Sequence, residues 1–337
     1  MRHEKGPTMK AFRHLNAPNM AAAVAALREP ETAVIAGGTD LLTVLKAGIQ
    51  TPKNLVNLKT ISALDEVQIQ DKTLHIGALA TLDTLEHGDV AAHFPLIARA
   101  ASLVASPQIR HAATIGGNLC QHVRCWYYRH PEVHCWLKGG RSCFAREGRN
   151  RLHALFGKSP CVAVNPSDLA PVLTALEAEL EVIGLEGPRR APIDTLYALP
   201  EPARRRQTTL EPAQVLADVT LALPDTETSG IYLKIMERAA WSFAIVSAAV
   251  KVQWNGDRVE DIRIVLGGVA GKPWRVPAAE QEVQGRRIDP AAATASAETA
   301  VREAAPLPEN HFKIPLVKNL VRRALLELSA PKEKGGR

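Results

Sequence analysis

Thr114-Ile-Gly-Gly-Asn-Leu-Cys120 opens a cysteine-punctuated segment that runs to Cys161. A glycine pair of the kind that lets backbone approach a phosphate stands here, directly before an aromatic, basic, cysteine-rich loop. A second pair, in Ala36-Gly37-Gly38-Thr39-Asp40, lies far upstream. There Thr32–Ala36 reads as a strand, Leu41–Ala47 has helical spacing and Gly48 reads as the C-cap. A strand, a glycine turn and a helix start aim successive backbone N–H groups into one concavity that suits phosphate. Either pair alone is also what a tight turn in an ordinary βα unit requires. Gly-Gly-Thr-Asp, moreover, lacks the G-x-G-x-x-G spacing of the dinucleotide fingerprint. Two such loops on separate segments together point to one dinucleotide-sized anionic ligand.

The five cysteines follow C-x4-C-x9-C-x7-C-x17-C, at positions 120, 125, 135, 143 and 161. An odd count in a chain without a secretion signal argues against a disulfide framework and for bound metal or free thiols. From Gln121 to Ser159 there is no sustained helical or alternating pattern, and so long a structureless stretch needs an external cause of order. A metal centre is such a cause, because ligand bonds replace the missing apolar core. Structural zinc favours close C-x2–4-C pairs, which only Cys120 and Cys125 approach. Thiolates from dispersed positions suit an iron–sulfur cluster instead. Arg124, Arg129, Lys138, Arg141, Arg146, Arg149 and Arg151 outnumber Glu132 and Glu147 and are expected to offset the cluster's negative charge. His122, His130, His134 and His153 are further candidate ligands, though a histidine in such a loop is more commonly a surface or hydrogen-bonding residue. Spacing alone does not exclude Cys120.

The chain of 337 residues suits two or three compact lobes, and 46% hydrophobic content is ordinary for a globular protein. A net charge of +6 is spread along the chain, with one short run at Arg204-Arg205-Arg206, so a nucleic-acid surface is not expected. No apolar stretch approaches the roughly 20 residues needed to span a bilayer. Residues 1–8 read as a disordered extension before a first strand at Lys10-Ala-Phe12. Met20–Arg28 is a helix by propensity with Asn19 as N-cap. Val67–Gln70 and Thr73–Gly77 read as a hairpin, and Leu96–Ala105 as an amphipathic helix. Cys161–Val164 reads as a strand, and Ser167 caps a helix through Leu176. Strands at Ala178–Ile183 and Gln214–Leu223 flank a proline-bracketed linker. Beyond a boundary at Asp225–Gly230 come Tyr232–Met236, a small-residue helix or strand at Phe243–Val250, a hairpin at Asn255-Gly256-Asp257 and a strand at Ile262–Gly267. Helices at Ala291–Ala304 and about Lys313–Leu328 complete the chain.

With both loops in place, the sequence resembles the flavin-binding medium subunit of xanthine-dehydrogenase-type molybdenum hydroxylases. The resemblance is carried by Ile35-Ala-Gly-Gly-Thr-Asp-Leu41, Ile76-Gly-Ala78 with Thr81, Ser106-Pro-Gln-Ile-Arg110, Thr114-Ile-Gly-Gly-Asn118, Ser167-Asp-Leu169, Tyr232-Leu-Lys234 and Leu266-Gly-Gly-Val269. The insert, with Arg124-Cys-Trp-Tyr-Tyr-Arg129, is similar to the subgroup that has an extra 4Fe–4S cluster, bacterial aldehyde oxidoreductases among them. The implied fold is α+β: a two-part FAD-binding domain over 9–225 with the insert at about 120–161, then a C-terminal α+β domain with a small antiparallel sheet over 230–330. The implied FAD contacts are Ile35, Ala36, Gly37, Gly38, Thr39, Asp40, Leu41, Thr114, Gly116, Gly117 and Asn118, with Asp168 and Lys234 at further flavin-contacting positions. The implied cluster ligands are Cys125, Cys135, Cys143 and Cys161, which leaves Cys120 as a non-ligating thiol. Trp241-Ser242 stands where many members carry charged or small polar residues.

No Ser/His/Asp grouping, paired carboxylates or molybdenum-pocket signature is present, so no catalytic residue is expected on this chain. The resemblance implies an electron-transfer subunit working with a molybdenum-cofactor large subunit, a 2Fe–2S small subunit and an external electron acceptor. Two competing readings are a zinc-stabilised basic module that binds nucleic acid and a self-sufficient flavin oxidase. Without an export signal the expected compartment is the cytoplasm, or the periplasm if a signal-bearing partner carries the complex out.

Overall fold

A computed structural model describes residues 9–330; the extension expected over 1–8 lies outside the described residues. Three sheets organise the described residues. The first is parallel, in the order β1-β3-β2, from β1 (Arg13–Asn16), β2 (Thr32–Ile35) and β3 (Asn54–Asn57). Helix Met20–Ala26 covers it, with Ala22 N–H donating to Asn19 Oδ1 at 2.9 Å and Ala23 and Val24 packed near Val56 and Leu58. The strand expected at Lys10–Phe12 falls instead at Arg13–Asn16, the segment whose register matches Asn54–Asn57.

The second sheet is antiparallel, in the order β4-β5-β8-β6-β7. Its strands are β4 (Val67–Gln70), β5 (Thr73–Gly77), β6 (Glu179–Gly184), β7 (Gly187–Pro192) and β8 (Val215–Ala222). The β4–β5 turn places Asp71 and Lys72 at φ 48° and 59°, the left-handed pair that a two-residue hairpin of matching twist needs. Strand β7 is invisible in the sequence because its Gly-Pro-Arg-Arg composition is that of an edge: charges and proline that discourage further pairing.

The C-terminal sheet is antiparallel, β12-β11-β10-β9, from β9 (Thr228–Ile235), β10 (Val246–Asn255), β11 (Arg258–Gly267) and β12 (Trp274–Arg275). Helix Lys313–Ser329 packs against it through Val317, Leu320, Val321, Ala324 and Leu325. The helix-or-strand ambiguity over Phe243–Val250 resolves as β10, beginning at Val246. Val246, Ala248 and Val250 enter the C-terminal core while Ala249 enters the core of the second sheet, so both faces are apolar and no alternation shows. Between the two cores lies helix Leu169–Ala175, buried at every residue, with Ala170 N–H donating to Ser167 Oγ at 3.0 Å. The strand expected at Cys161–Val164 is extended chain without a ladder. It instead bonds outward singly, through Ala154 N–H to Val162 O at 2.9 Å and Gln207 Nε2 to Ala163 O at 3.0 Å.

Candidate functional site

The two glycine loops meet. A Cβ on Gly37 would lie 1.8 Å from Ala112 O, on the segment that enters the second loop, so the first loop needs a missing side chain for that backbone to pass. One on Gly116 would lie 2.9 Å from Ala78 O, so the second loop needs a missing side chain to pass the end of β5. Gly38 takes φ +70°, where an L side chain is strained. Ala36, Gly37, Gly38, Thr39, Asp40, Leu41, Thr114, Gly116 and Gly117 line one cleft of about 200 Å³, with Leu210, Val215 and Leu216 as its apolar wall. Ile35 stands behind this cleft, its Cδ1 reaching toward Gly38.

The loops do not contribute alike. Among the described residues the N–H groups of Gly37, Gly38, Thr39 and Asp40 have no protein acceptor, which leaves them free for an anion. In the second loop the donors are spent internally. Gly116 N–H bonds Ala78 O at 2.9 Å, Gly117 N–H bonds Thr114 Oγ1 at 3.1 Å and Asn118 N–H bonds Thr114 O at 2.8 Å. The expectation of two matching amide nests is therefore corrected. The first loop supplies donors; the second, a short capped helix at Ile115–Leu119, supplies a side-chain-free wall.

From this cleft a groove continues. A second chamber of about 290 Å³ shares Thr39, Asp40, Gly117 and Gln121 with the first and adds Asn118. A third, of about 310 Å³, shares Arg124, Pro166, Asp168, Trp241, Ser242 and Phe243 with the second. It ends on Cys125, Trp126 and His153. Trp241, at φ 53°, and Phe243 are exposed at its rim, and the Arg124 guanidinium sits 4.6 Å from the Phe243 ring centroid. Asp168 lines the groove, but Lys234 does not. Its Nζ is buried, donating to Asp168 Oδ2 at 2.8 Å and Leu103 O at 2.9 Å, while Tyr232 OH donates to Asp168 Oδ1 at 2.6 Å. Burial raises the Asp168 carboxyl, against the opposing pull of Lys234 and Tyr232.

Asp40 has partners the sequence did not reveal. Its carboxylate accepts from His122 N–H at 2.8 Å, His122 Nδ1 at 2.9 Å and Arg129 Nη2 at 2.7 Å, and pairs with Arg124 at 3.0 Å. Arg129 also bonds Thr43 Oγ1 and the carbonyls of His122 and Val123. The first loop is thus pinned to the start of the cysteine insert. Arg124 and Arg129, expected to offset a cluster's charge, share the single Asp40 carboxylate here, which leaves one positive charge in excess. Burial would raise the Asp40 carboxyl, but the His122 bonds and the two guanidinium groups outweigh it and hold it well below the usual carboxylate range. The depressed pKa makes the stabilisation complete above the unfolded carboxyl value, about 4, and lost as pH falls below it. Asp40→Asn is expected to cost about 1.5–3 kcal/mol at pH 7, and the gap from wild type should close on acidification. Urea midpoints at pH 7 and pH 3 check this; an equal gap at both would refute it.

The thiols separate into two groups. Cys125, Cys135, Cys143 and Cys161 share one small core with Val123, Tyr128, Trp136 and Ala163. Cys120 packs against the other side, in the core behind the second glycine loop, and lines the first chamber. The neighbouring thiols of Cys143 and Cys161 act on each other, which draws Cys143 down to about 5 and pushes Cys161 up. Burial lifts Cys125 to about 11 and Cys120 to about 12. Among the described residues no group of three or more His, Cys, Asp or Glu side chains is gathered so as to hold a metal ion. His153 Nε2 lies 3.2 Å from Cys125 Sγ, whereas His122 is committed to Asp40. No described helix is long and apolar enough to cross a membrane.

Residues 10–224 match the FAD binding domain in molybdopterin dehydrogenase, and residues 231–328 match the CO dehydrogenase flavoprotein C-terminal domain. The aldehyde oxidoreductase FAD-binding subunit PaoB of Escherichia coli K12 is 37% identical over 330 residues, covering 96% of this chain and 99% of that one. The nicotine 6-hydroxylase medium subunit of Paenarthrobacter nicotinovorans is 25% identical, over 90% of this chain and 91% of its own. Carbon monoxide dehydrogenase from Hydrogenophaga pseudoflava superposes with a TM-score of 0.74 at 25% identity, covering 94% of this chain and 96% of that one. Two family matches in the same order along nearly the whole length, over a groove floored by side-chain-free loops, leave one assignment: this chain belongs to the FAD-binding medium-subunit family of the molybdenum hydroxylases.

Proposed function

We propose that this chain is the electron-transfer flavoprotein subunit of a molybdenum-dependent aldehyde oxidoreductase, with FAD in the groove and a 4Fe–4S cluster on Cys125, Cys135, Cys143 and Cys161. The observation that carries the reading is the groove itself. Three chambers with shared lining residues succeed one another from the free amides of Gly37–Asp40, past Asp168, to a wall formed by Cys125. In this arrangement the first glycine loop holds the pyrophosphate, and Gly116 and Gly117 let it approach. Asp40 lines the groove and also fastens the insert beside it. Four thiols in one apolar core, with none of the five in a disulfide, fit a cluster. A single ion draws its sulfurs to about 2.3 Å. A four-iron cluster is larger than one ion and keeps its thiolates further apart.

When bound, FAD accepts electrons singly or in pairs and delivers them to an external acceptor, and the cluster relays them one at a time. The chain's part is orientation and charge: amides at the pyrophosphate, an aromatic rim at Trp241 and Phe243, and Arg124 held over the groove by Asp40. Substrate oxidation belongs to a molybdenum-cofactor large subunit, with a 2Fe–2S small subunit as the link. The relatedness to an aldehyde oxidoreductase subunit over nearly the full length supports aldehydes as the substrate class.

Metal, flavin and mass analysis of the co-purified complex tests all of this. Bound FAD, roughly four iron atoms on this chain and two larger and smaller partners are expected. Cys135→Ser should lose most of that iron and keep the flavin. Zinc without flavin would support the nucleic-acid module instead, and aldehyde or alcohol turnover by the isolated chain would support a self-sufficient oxidase.

A further inference from the structure

We infer that His153 is a positioning residue for the proposed cluster, donating Nε2–H to the thiolate of Cys125, the sulfur that faces the flavin groove. The inference rests on the cluster reading above and gives His153, a candidate ligand in the sequence, the role of hydrogen-bond donor instead. His153 is 3% exposed, its Nε2 is 3.2 Å from Cys125 Sγ, and both residues line the last chamber of the groove. A thiolate can only accept, so Nε2 must carry the hydrogen. Nδ1 has no partner and is left as a lone pair, a smaller penalty than a buried orphan N–H.

The ring is held in place from several sides. Trp126 meets it edge-on, with centroids 5.4 Å apart and planes at 75°. The backbone is fixed by His153 N–H to Asn150 O at 2.9 Å. The His153 carbonyl is gripped by Lys313 Nζ at 3.0 Å and Asn310 Nδ2 at 3.1 Å. Lys313 is fully buried, and its described acceptors are carbonyls only: those of Leu152 at 3.5 Å, His153, and Gly268 at 2.5 Å. A lysine set into the C-terminal domain thus clamps the segment that presents the imidazole. Hydrogen bonds to cluster sulfurs stabilise the more negative, reduced state and raise the potential. His153 would act on the ligand nearest the flavin, where the driving force between the two centres is set.

The test is an electron-paramagnetic-resonance redox titration of the intact complex bearing wild type, His153→Gln and His153→Leu. Unchanged iron and flavin are expected, with the cluster midpoint shifted to more negative potential in His153→Leu and an intermediate shift in His153→Gln, whose amide can still donate. Equal midpoints with iron retained would overturn the role of His153 and leave the cluster standing. A wild-type complex with no 4Fe–4S signal would remove the cluster and the inference together. Should the variants fail to assemble, wild type labelled with 15N-histidine decides alone: a histidine-nitrogen coupling to the reduced cluster is required, and its absence overturns the proposal.

Discussion

Gly37→Ala is expected to abolish flavin retention and to destabilise the chain by more than about 3 kcal/mol, the upper end of ordinary overpacking. The added Cβ would fall 1.8 Å from Ala112 O, a backbone atom. That backbone cannot easily withdraw, because Ala112 N–H and Ala113 N–H both bond Ile109 O, at 3.1 Å and 2.8 Å, and Leu82 N–H bonds Ala113 O at 2.9 Å. The two loops must then separate, and the concavity of free amides opens with them. Gly88→Ala is the comparison. Its φ of +58° strains a side chain, but nothing lies within 4 Å of the new atom, so the cost should stay near 1 kcal/mol with flavin retained. Flavin absorbance after desalting and urea midpoints read both effects. Wild-type flavin content in Gly37→Ala would show that loop apposition does not shape the cleft.

Lys234→Met is expected to cost roughly 3–5 kcal/mol, because it strands the Asp168 carboxylate in the interior. Both side chains are essentially inaccessible, and Lys234 also satisfies Leu103 O, joining β9 to the helix Pro95–Ser102 region as well as to the head of helix Leu169–Ala175. Without the ammonium, burial acts on the carboxyl unopposed except by Tyr232, and its pKa rises further. A raised carboxyl pKa makes the folded state bind more protons than the unfolded one. The penalty is therefore full at neutral pH and shrinks as pH falls toward about 4. Adding Asp168→Asn should recover part of the loss, and a double-mutant cycle measures the pair. A loss below about 1 kcal/mol for Lys234→Met would mean that the ion pair does not hold these elements together.

Features whose cause is local were legible in the sequence. The β4–β5 hairpin, the Asn19 and Ser167 caps, and the special status of Gly37 and Gly38 each depend on a few consecutive residues. The insert was legible by contrast, as a stretch with cysteines and no periodicity. Strand β7 and the identity of β10 were not, since one is an edge with an edge's composition and the other is apolar on both faces.

The sequence by itself determined the glycine turns, the run of elements and the presence of a thiol-rich insert, because propensity, capping and the lack of a Cβ act over a turn or two of chain. Only the tertiary structure decided that the second loop's amides are consumed internally, that Asp40 belongs to Arg124 and Arg129, that Lys234 belongs to Asp168, and that Cys120 lies in a different core from the other four thiols. Most of these pairings join residues tens of positions apart. Charge and thiol chemistry carry no sequence mark of which partner burial will bring within 3 Å.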